Sequence, residues 1–387
     1  MQDFVFVNPT KIIFGKDRIK MIGPEVLKFG KKALLVYGRE SIKKNGIYDQ
    51  VATSLQSAGV SFVEFSGVKS NPVLSHAVKG IELARRENVD VILAVGGGSV
   101  IDSAKVIAAG IKANHDVWDF FMRRQSIKDV LPLLVVVTVS ASASEMNSVA
   151  VITNEDGNRK FSIQSPLIQP KTSIMDPSVL FTLSPAYSAY SAVDVLSHMV
   201  EGYFNNAEPY SPLQDRLVEG LTKTVMESMN VIMRNPVDYT ARANMMWSAT
   251  LAFNGLISAG MGQTYFPAHM IEHSLSALYD IPHGAGLSIV LPGWMAYAAE
   301  KNPERFAHFT REIFEMKMTD DDWTAPKGIA QLKNWFLSIG CPTSLKEGGI
   351  PESDIGRIAE NACVLAQAWG MKDYSEDVIT DILKLCQ

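Results

Sequence analysis

Cysteine, histidine and long apolar runs are all scarce in this chain, and each scarcity narrows what it is. Three cysteines among 387 residues, Cys341, Cys363 and Cys386, stand far apart with no CxxC spacing and no even count. That excludes a disulfide framework and leaves them as reduced, small apolar residues. The opening MQDFVFVNPTKIIFG has neither a charged leader segment nor an extended apolar core, and no apolar run reaches membrane-spanning length. A cytoplasmic location is expected. An excess of basic charge is missing too: the formal net charge is -5, which excludes a protein that follows a nucleic-acid backbone. There is no internal repeat, no low-complexity segment and no GxGxxG, so the standard dinucleotide fingerprint is absent.

What is present divides into two patterns. At 47% hydrophobic residues, the length suffices for two domains with sizeable cores. Short apolar runs at residues 4–7, 11–14, 33–37, 61–65, 91–95 and 133–137 alternate with helical stretches at 47–58, 73–87 and after Ser99. That alternation predicts right-handed crossovers and a parallel sheet with helices on both faces. Residues 149–153 and 160–163 read as a hairpin turning at Asp156-Gly157. From Ser184 on there are only long apolar or amphipathic helices, so the expected division is 1–183, an α/β Rossmann-like domain, and 184–387, an all-helical domain, with Asp176-Pro177 and Ser184-Pro185 marking the border.

A parallel sheet binds ligands at the carboxyl ends of its strands. Here those ends read Gly38-Arg39-Glu40-Ser41, then Gly96-Gly97-Gly98-Ser99, then TVSASASEMNS from Thr138. Three glycines before a helix let the backbone approach a phosphate and aim free amides at it, and Ser99 is expected to cap that helix. A carboxylate at the first strand end would favour NAD. Arg39 with Ser41 and Lys43 favours the 2′-phosphate of NADP, and Glu40 is the group that dissents.

The helical half concentrates histidine. Three of the seven, His269, His273 and His283, fall within HMIEHSLSALYDIPHG, and Asp194 and His198 are four apart in SAVDVLSHMVEGY. Residues four apart share a helical face. His283, between Pro282 and Gly284, is expected on a turn. Carboxylate and imidazoles at these spacings, in apolar helices where unpaired polar groups are costly, are the donors of a divalent metal. Spacing alone does not tell His269 from His273. A nucleotide domain joined to an Asp/His metal site implies a hydride-transfer enzyme, with a nicotinamide cofactor between the halves and the ion acting as Lewis acid on a carbonyl.

At these residues the chain resembles the iron-containing, or group III, alcohol dehydrogenases, and most nearly their NADPH-dependent aldehyde reductase and butanol dehydrogenase branch. The matching motifs span nearly the whole chain. They are FxFxNPTKIIFG, YGxxSxKKNG from Tyr37, Asn71-Pro72, GGGSVIDSAK, Thr138 with Ser144-Glu145, Asp176-Pro177, DxxxH at Asp194 and HxxxHxxxxxxxxxPHG from His269. The resemblance implies a dehydroquinate synthase-like architecture and Asp194, His198, His269 and His283 as ligands of Fe2+, or Zn2+. It implies His273 as a proton relay. It also implies that Gly97, Gly98 and Ser99 meet the pyrophosphate, that Asp102 lies beside the nicotinamide ribose, that Thr138 and Ser142 make phosphate or ring contacts, and that Lys160 meets a cofactor ribose. With Gly38, Arg39, Ser41 and Asn71 these make up the expected cofactor set.

The chain departs from the family at Ala141 and Ala143, where glycines are usual. Phe161, Trp247, Phe253 and Phe266 are candidates for an apolar substrate cleft. Two competing expectations are a dehydroquinate synthase-like cyclising lyase, which would want a basic site near the histidines, and a nucleotide-binding regulatory protein without turnover. A homodimer pairing through the N-terminal strand is also expected.

Overall fold

The computed structural model describes residues 1–207, 211–314 and 325–387. They form two units: Val7–Leu183 with Val237–Thr250, and Met1–Phe6 with Ser184–Pro236 and Leu251–Gln387. The units therefore exchange segments across the expected border at 183. The helix after Pro236 goes with the sheet, where Met246 O accepts from Ser140 Oγ at 3.2 Å and Thr250 Oγ1 donates to Glu145 Oε1 at 2.5 Å.

The first unit is built on β1 (Lys11–Phe14), β2 (Lys32–Tyr37), β3 (Ser61–Phe65), β4 (Val91–Gly96), β5 (Leu133–Val137), the hairpin β6 (Val149–Asn154) and β7 (Arg159–Gln164), and β8 (Thr172–Met175). Six of these make one sheet in the order β1-β8-β5-β4-β2-β3, with every pair parallel. Its helices are α1 (Ile22–Leu27), α2 (Ser41–Lys44), α3 (Ile47–Ser57), α4 (Leu74–Arg86), α5 (Gly98–Gly110) and α6 (Trp118–Phe121). Strands β4 and β5 are buried throughout, as unbroken Val/Ile/Leu runs in a sheet covered on both faces must be.

Two differences from the sequence expectation follow from pairing. Strand β8, only four residues long and unannounced by periodicity, inserts between β1 and β5. Residues 4–7 form no strand: among the described residues they have no ladder partner, and Phe4, Val5, Phe6 and Val7 are 52%, 92%, 42% and 73% exposed.

The second unit comprises α7 (Pro185–Phe204), α8 (Pro212–Arg234), α10 (Pro267–Tyr279), α11 (His283–Ala299), α12 (Pro303–Phe314), α13 (Ala325–Ser338), α14 (Ile355–Ala368) and α15 (Glu376–Lys384); α9 (Tyr239–Ala252) is the helix that joins the sheet unit. Helix α7 begins at Ser184, whose hydroxyl accepts from Tyr187 N–H, with Pro185 in the first turn. That is a regular N-terminal signal. Helices α7 and α11 are buried nearly all round, so the polar side chains they carry are enclosed by packing. His283 is the first residue of α11, not part of a turn. Pro282 caps it, and Gly284 is accepted because a Cβ there would lie 2.0 Å from the Tyr190 carbonyl oxygen of α7. Among the described residues no helix is long and apolar enough to cross a membrane.

Candidate functional site

In the sheet unit, the strand ends gather the expected nucleotide residues in pairs. Gly97 is the N-cap of α5, and a Cβ on Gly98 would lie 2.2 Å from Ser142 Oγ. The missing side chain therefore lets the 138–142 turn close on the start of the helix. Thr138 N–H donates to Gly96 O at 3.0 Å, which ties the two strand ends together. Ser99 does not cap α5: it sits inside the first turn and its hydroxyl donates to Ser70 O. Lys160 Nζ donates to Asn71 Oδ1 at 3.4 Å, and both side chains are buried.

Asp102 accepts from Ser144 Oγ at 2.5 Å and from Val151 N–H at 3.0 Å. Burial pushes its carboxyl above the usual range, against the pull of Lys105, Ser144, Val151 and Lys160. Lys105, to which the sequence reading assigns no role, is fully buried. Its ammonium donates to Asn147 O, Asn147 Oδ1 and Val149 O at 3.0, 2.8 and 2.7 Å, fastening the loop and β6 onto α5. Burial pushes its pKa down to about 8. Arg39, Glu40 and Ser41 are exposed after β2. Ala143, one of the two alanines that replace family glycines, has φ 53° and is fully buried, so it holds a left-handed backbone that disfavours a Cβ.

In the helical unit, Asp194, His198 and His269 each bring a ligand atom within 4.8 Å of the others, and His283 joins them through its contact with Asp194. Asp194 Oδ1 lies 3.3 Å from His198 Nδ1, 3.6 Å from His269 Nε2 and 3.7 Å from His283 Nε2. The two Nε2 separations compare with an edge of roughly 3.4 Å for a tetrahedron whose ligands stand about 2.1 Å from a central ion. Asp194 Oδ1 and His269 Nε2 are buried and have no hydrogen-bond partner, an expensive arrangement unless a cation lies between them.

The proton positions agree. His198 Nδ1 faces the Asp194 carbonyl oxygen at 3.0 Å, and His269 Nδ1 and His283 Nδ1 face Glu201 Oε2 and Glu272 Oε2. Each of these oxygens only accepts, so each Nδ1 carries a proton. In His269 and His283 that leaves Nε2 as the nitrogen facing Asp194, whereas His198 turns its Nδ1 toward both the carbonyl and the carboxylate of Asp194. Burial would raise the Asp194 carboxyl, but His198, His283 and His269 hold it well below the usual carboxylate range. Burial, with His269 nearby, pushes His198 down to about 3. For His269 burial acts downward but Glu201 and Asp194 outweigh it, taking it up to about 10.

His273 stands apart from Asp194. Its ring is 5.7 Å from that of His283 and 5.4 Å, edge to face, from Trp369. One atom each from Glu272, His273 and His283 also lie within 4.8 Å of one another, but Glu272 is hydrogen-bonded directly to His283 Nδ1, which leaves no room for an ion between them.

Of the four aromatic candidates, Phe253 and Phe266 pack on His198, with ring centroids at 4.5 and 6.2 Å. Phe161 packs on Trp118 and Trp247 on Phe14. Trp369, Glu201 and Glu272 were not singled out from the sequence. An acid three residues after His198, and another between His269 and His273, were the available signals.

A parallel sheet with bare-backbone strand ends, and a helical unit enclosing a carboxylate beside three imidazoles, define an α/β-plus-helical protein with a candidate metal site. Residues 9–177 match the family model described as iron-containing alcohol dehydrogenase, and residues 188–387 match the C-terminal model of the same family. The chain belongs to the iron-containing alcohol dehydrogenases and is an oxidoreductase of that class. It is 39% identical to a probable NADH-dependent butanol dehydrogenase of Bacillus subtilis (strain 168), over 99% of both chains. It is 34% identical to the NADPH-dependent aldehyde reductase of Escherichia coli (strain K12), over 92% of this chain and 91% of that one. The crystal structure of an NADH-dependent butanol dehydrogenase from Thermotoga maritima superposes with a TM-score of 0.95 at 44% identity, covering 100% of this chain and 99% of the other. Neither the lyase nor the regulatory alternative is favoured by these matches.

Proposed function

We propose that the enzyme is a metal-dependent alcohol dehydrogenase working as an aldehyde reductase, moving a hydride between NADP(H) and a small or medium primary alcohol or aldehyde. A divalent ion would be held by Asp194, His198, His269 and His283. The observation that carries this reading is the facing pair of buried atoms without hydrogen bonds, Asp194 Oδ1 and His269 Nε2. When bound, the ion supplies Lewis acidity at the substrate oxygen and the nicotinamide supplies the hydride. Four protein donors would close a tetrahedral zinc site, so a metal tolerant of a further partner, Fe2+ before Zn2+, is the one that suits catalysis.

The chain's own residues do the positioning. His283 is the most exposed of the four, at 27% against 7% or 8% or less for the others, and marks the side from which a substrate oxygen arrives. His273, whose ring lies beside those of His283 and Trp369, would hand a proton to that oxygen as the carbonyl becomes an alcohol. Phe253 and Phe266 shield His198 from water.

For the nucleotide, Gly97, Gly98 and the amides opening α5 would take the pyrophosphate, Ser99 through its N–H because its hydroxyl is engaged. Asp102, Asn71, Lys160, Thr138, Ser142 and Gly38 would meet ribose, ring and phosphate oxygens. Exposed Arg39, with Ser41, would meet the 2′-phosphate. The relatives named NADH-dependent, at 39% and 44% identity, are more similar to this chain than the NADPH-dependent one at 34%, so the NADP reading rests on the strand end alone.

Full-length protein loaded with Fe2+ is expected to consume NADPH with short straight-chain aldehydes, and to show a higher kcat/KM with NADPH than with NADH. No turnover with any aldehyde would end the functional reading. Faster turnover with NADH would end the assignment of Arg39 alone. The exposed residues 4–7, without a ladder partner among the described residues, offer backbone that a second copy could pair with. Light scattering is expected to give twice the 42.5 kDa chain mass, and a monomer mass would refute the dimer.

A further inference from the structure

Two fully buried carboxylates, Glu201 and Glu272, lie beside the proposed metal ligands without belonging to the ligand set. Each is bonded on two sides. Glu201, on α7, accepts from His269 Nδ1 through one oxygen. Through the other it accepts from Ala268 N–H at 2.5 Å and His269 N–H at 3.3 Å. Those two amides open α10, whose own N-cap residue is Phe266 and has no side chain able to accept. One acid on α7 therefore caps α10 and orients the imidazole that α10 carries.

Glu272, on α10, repeats the device one helix further on. One oxygen accepts from His283 Nδ1 at the start of α11, and the other accepts from Ser276 Oγ. Its place is reserved by Gly286, where a Cβ would stand 2.7 Å from both Glu272 Cγ and Oε1.

We infer that Glu201 and Glu272 are positioning residues that link α7 to α10 and α10 to α11, each holding the next helix's histidine with Nε2 toward the ion. The inference rests on the metal-site reading above. A carboxylate on Nδ1 fixes the tautomer, stops the ring turning and makes Nε2 a better donor, and removing such a partner typically weakens metal binding about 10- to 100-fold.

The test uses the full-length chain loaded with Co2+ and challenged with rising chelator, following bound Co2+ by its visible absorption and folding by circular dichroism and thermal melting. Glu272→Gln keeps the shape and loses the charge. It is expected to weaken Co2+ binding about tenfold, and Glu272→Ala about 100-fold, with an altered Co2+ spectrum and an unchanged circular dichroism spectrum. Glu201→Gln is expected to weaken binding similarly and also to lower Tm, because it loosens the cap of α10. Where that variant folds poorly, Glu272→Gln decides. Asp194→Ala is the control that separates two failures. If it releases Co2+ while the glutamate variants bind as the parent does, this inference falls alone. If Asp194→Ala also keeps Co2+, the metal-site reading falls with it.

Discussion

Asp194→Ala is expected to leave a folded protein with almost no bound metal and a kcat/KM for aldehyde reduction lower by at least about 10³-fold. Asp194 Oδ1 is the one atom from which the nearest ring nitrogens of all three proposed histidine ligands are measured, at 3.3 to 3.7 Å. It is also the only anionic donor in that set. Without it His269 Nε2 and His283 Nε2 have no carboxylate facing them, and an ion placed there would lose the one anion in direct reach of it in a buried site. Metal analysis of the purified variant and steady-state kinetics check both halves. A variant that keeps its metal, or keeps activity within about tenfold, would move the chemistry elsewhere.

Gly284→Ala is expected to be the most damaging small change in the helical unit, although it adds one methyl and removes no ligand. A Cβ at this position would stand 2.0 Å from the Tyr190 carbonyl oxygen, 2.6 Å from its carbon and 2.8 Å from its Cα. All three are backbone of α7, so no side chain can swing away. The helices must part, and they are the two that carry Asp194 and His198 on one side and His283 on the other. Overpacking of this kind costs on the order of 3 kcal/mol, which lowers Tm by roughly 6–12 °C for a unit of this size. Metal loading falls as well, because His283 moves away from Asp194. Thermal melting with metal analysis tests it, and a variant as stable and as well loaded as the parent would show that the helix spacing is adjustable.

The two predictions draw on different depths of information. The pairing of Asp194 with His198 and of His269 with His273 was legible because a helix repeats every 3.6 residues, so four-residue spacing puts each pair on one face. The choice of His269 over His273, with His283, as proposed ligands came from the family resemblance. The glycine turn at Gly96 to Ser99 was legible for a similar local reason, since bare backbone between a strand and a helix has few other uses. By contrast, Gly284 read as a helix breaker. Its actual use, letting α7 and α11 approach, depends on a residue 94 positions earlier. Ser99 read as a cap, yet its hydroxyl goes to Ser70. Strand β8 has four residues and no periodic signal, and it is defined by its pairing with β1 on one side and β5 on the other.

Periodicity, punctuation by proline and glycine, and the clustering of rare ionisable residues are properties of neighbouring positions. They were enough for the parallel sheet, the helical half and the Asp/His cluster from which the family resemblance picks the four proposed ligands. The order of strands, the exchange of segments between the units, and the carboxylates behind His269 and His283 arise from contacts between residues far apart in the chain. For those, the deciding quantity is which buried groups meet and satisfy one another, and only the folded chain brings them together.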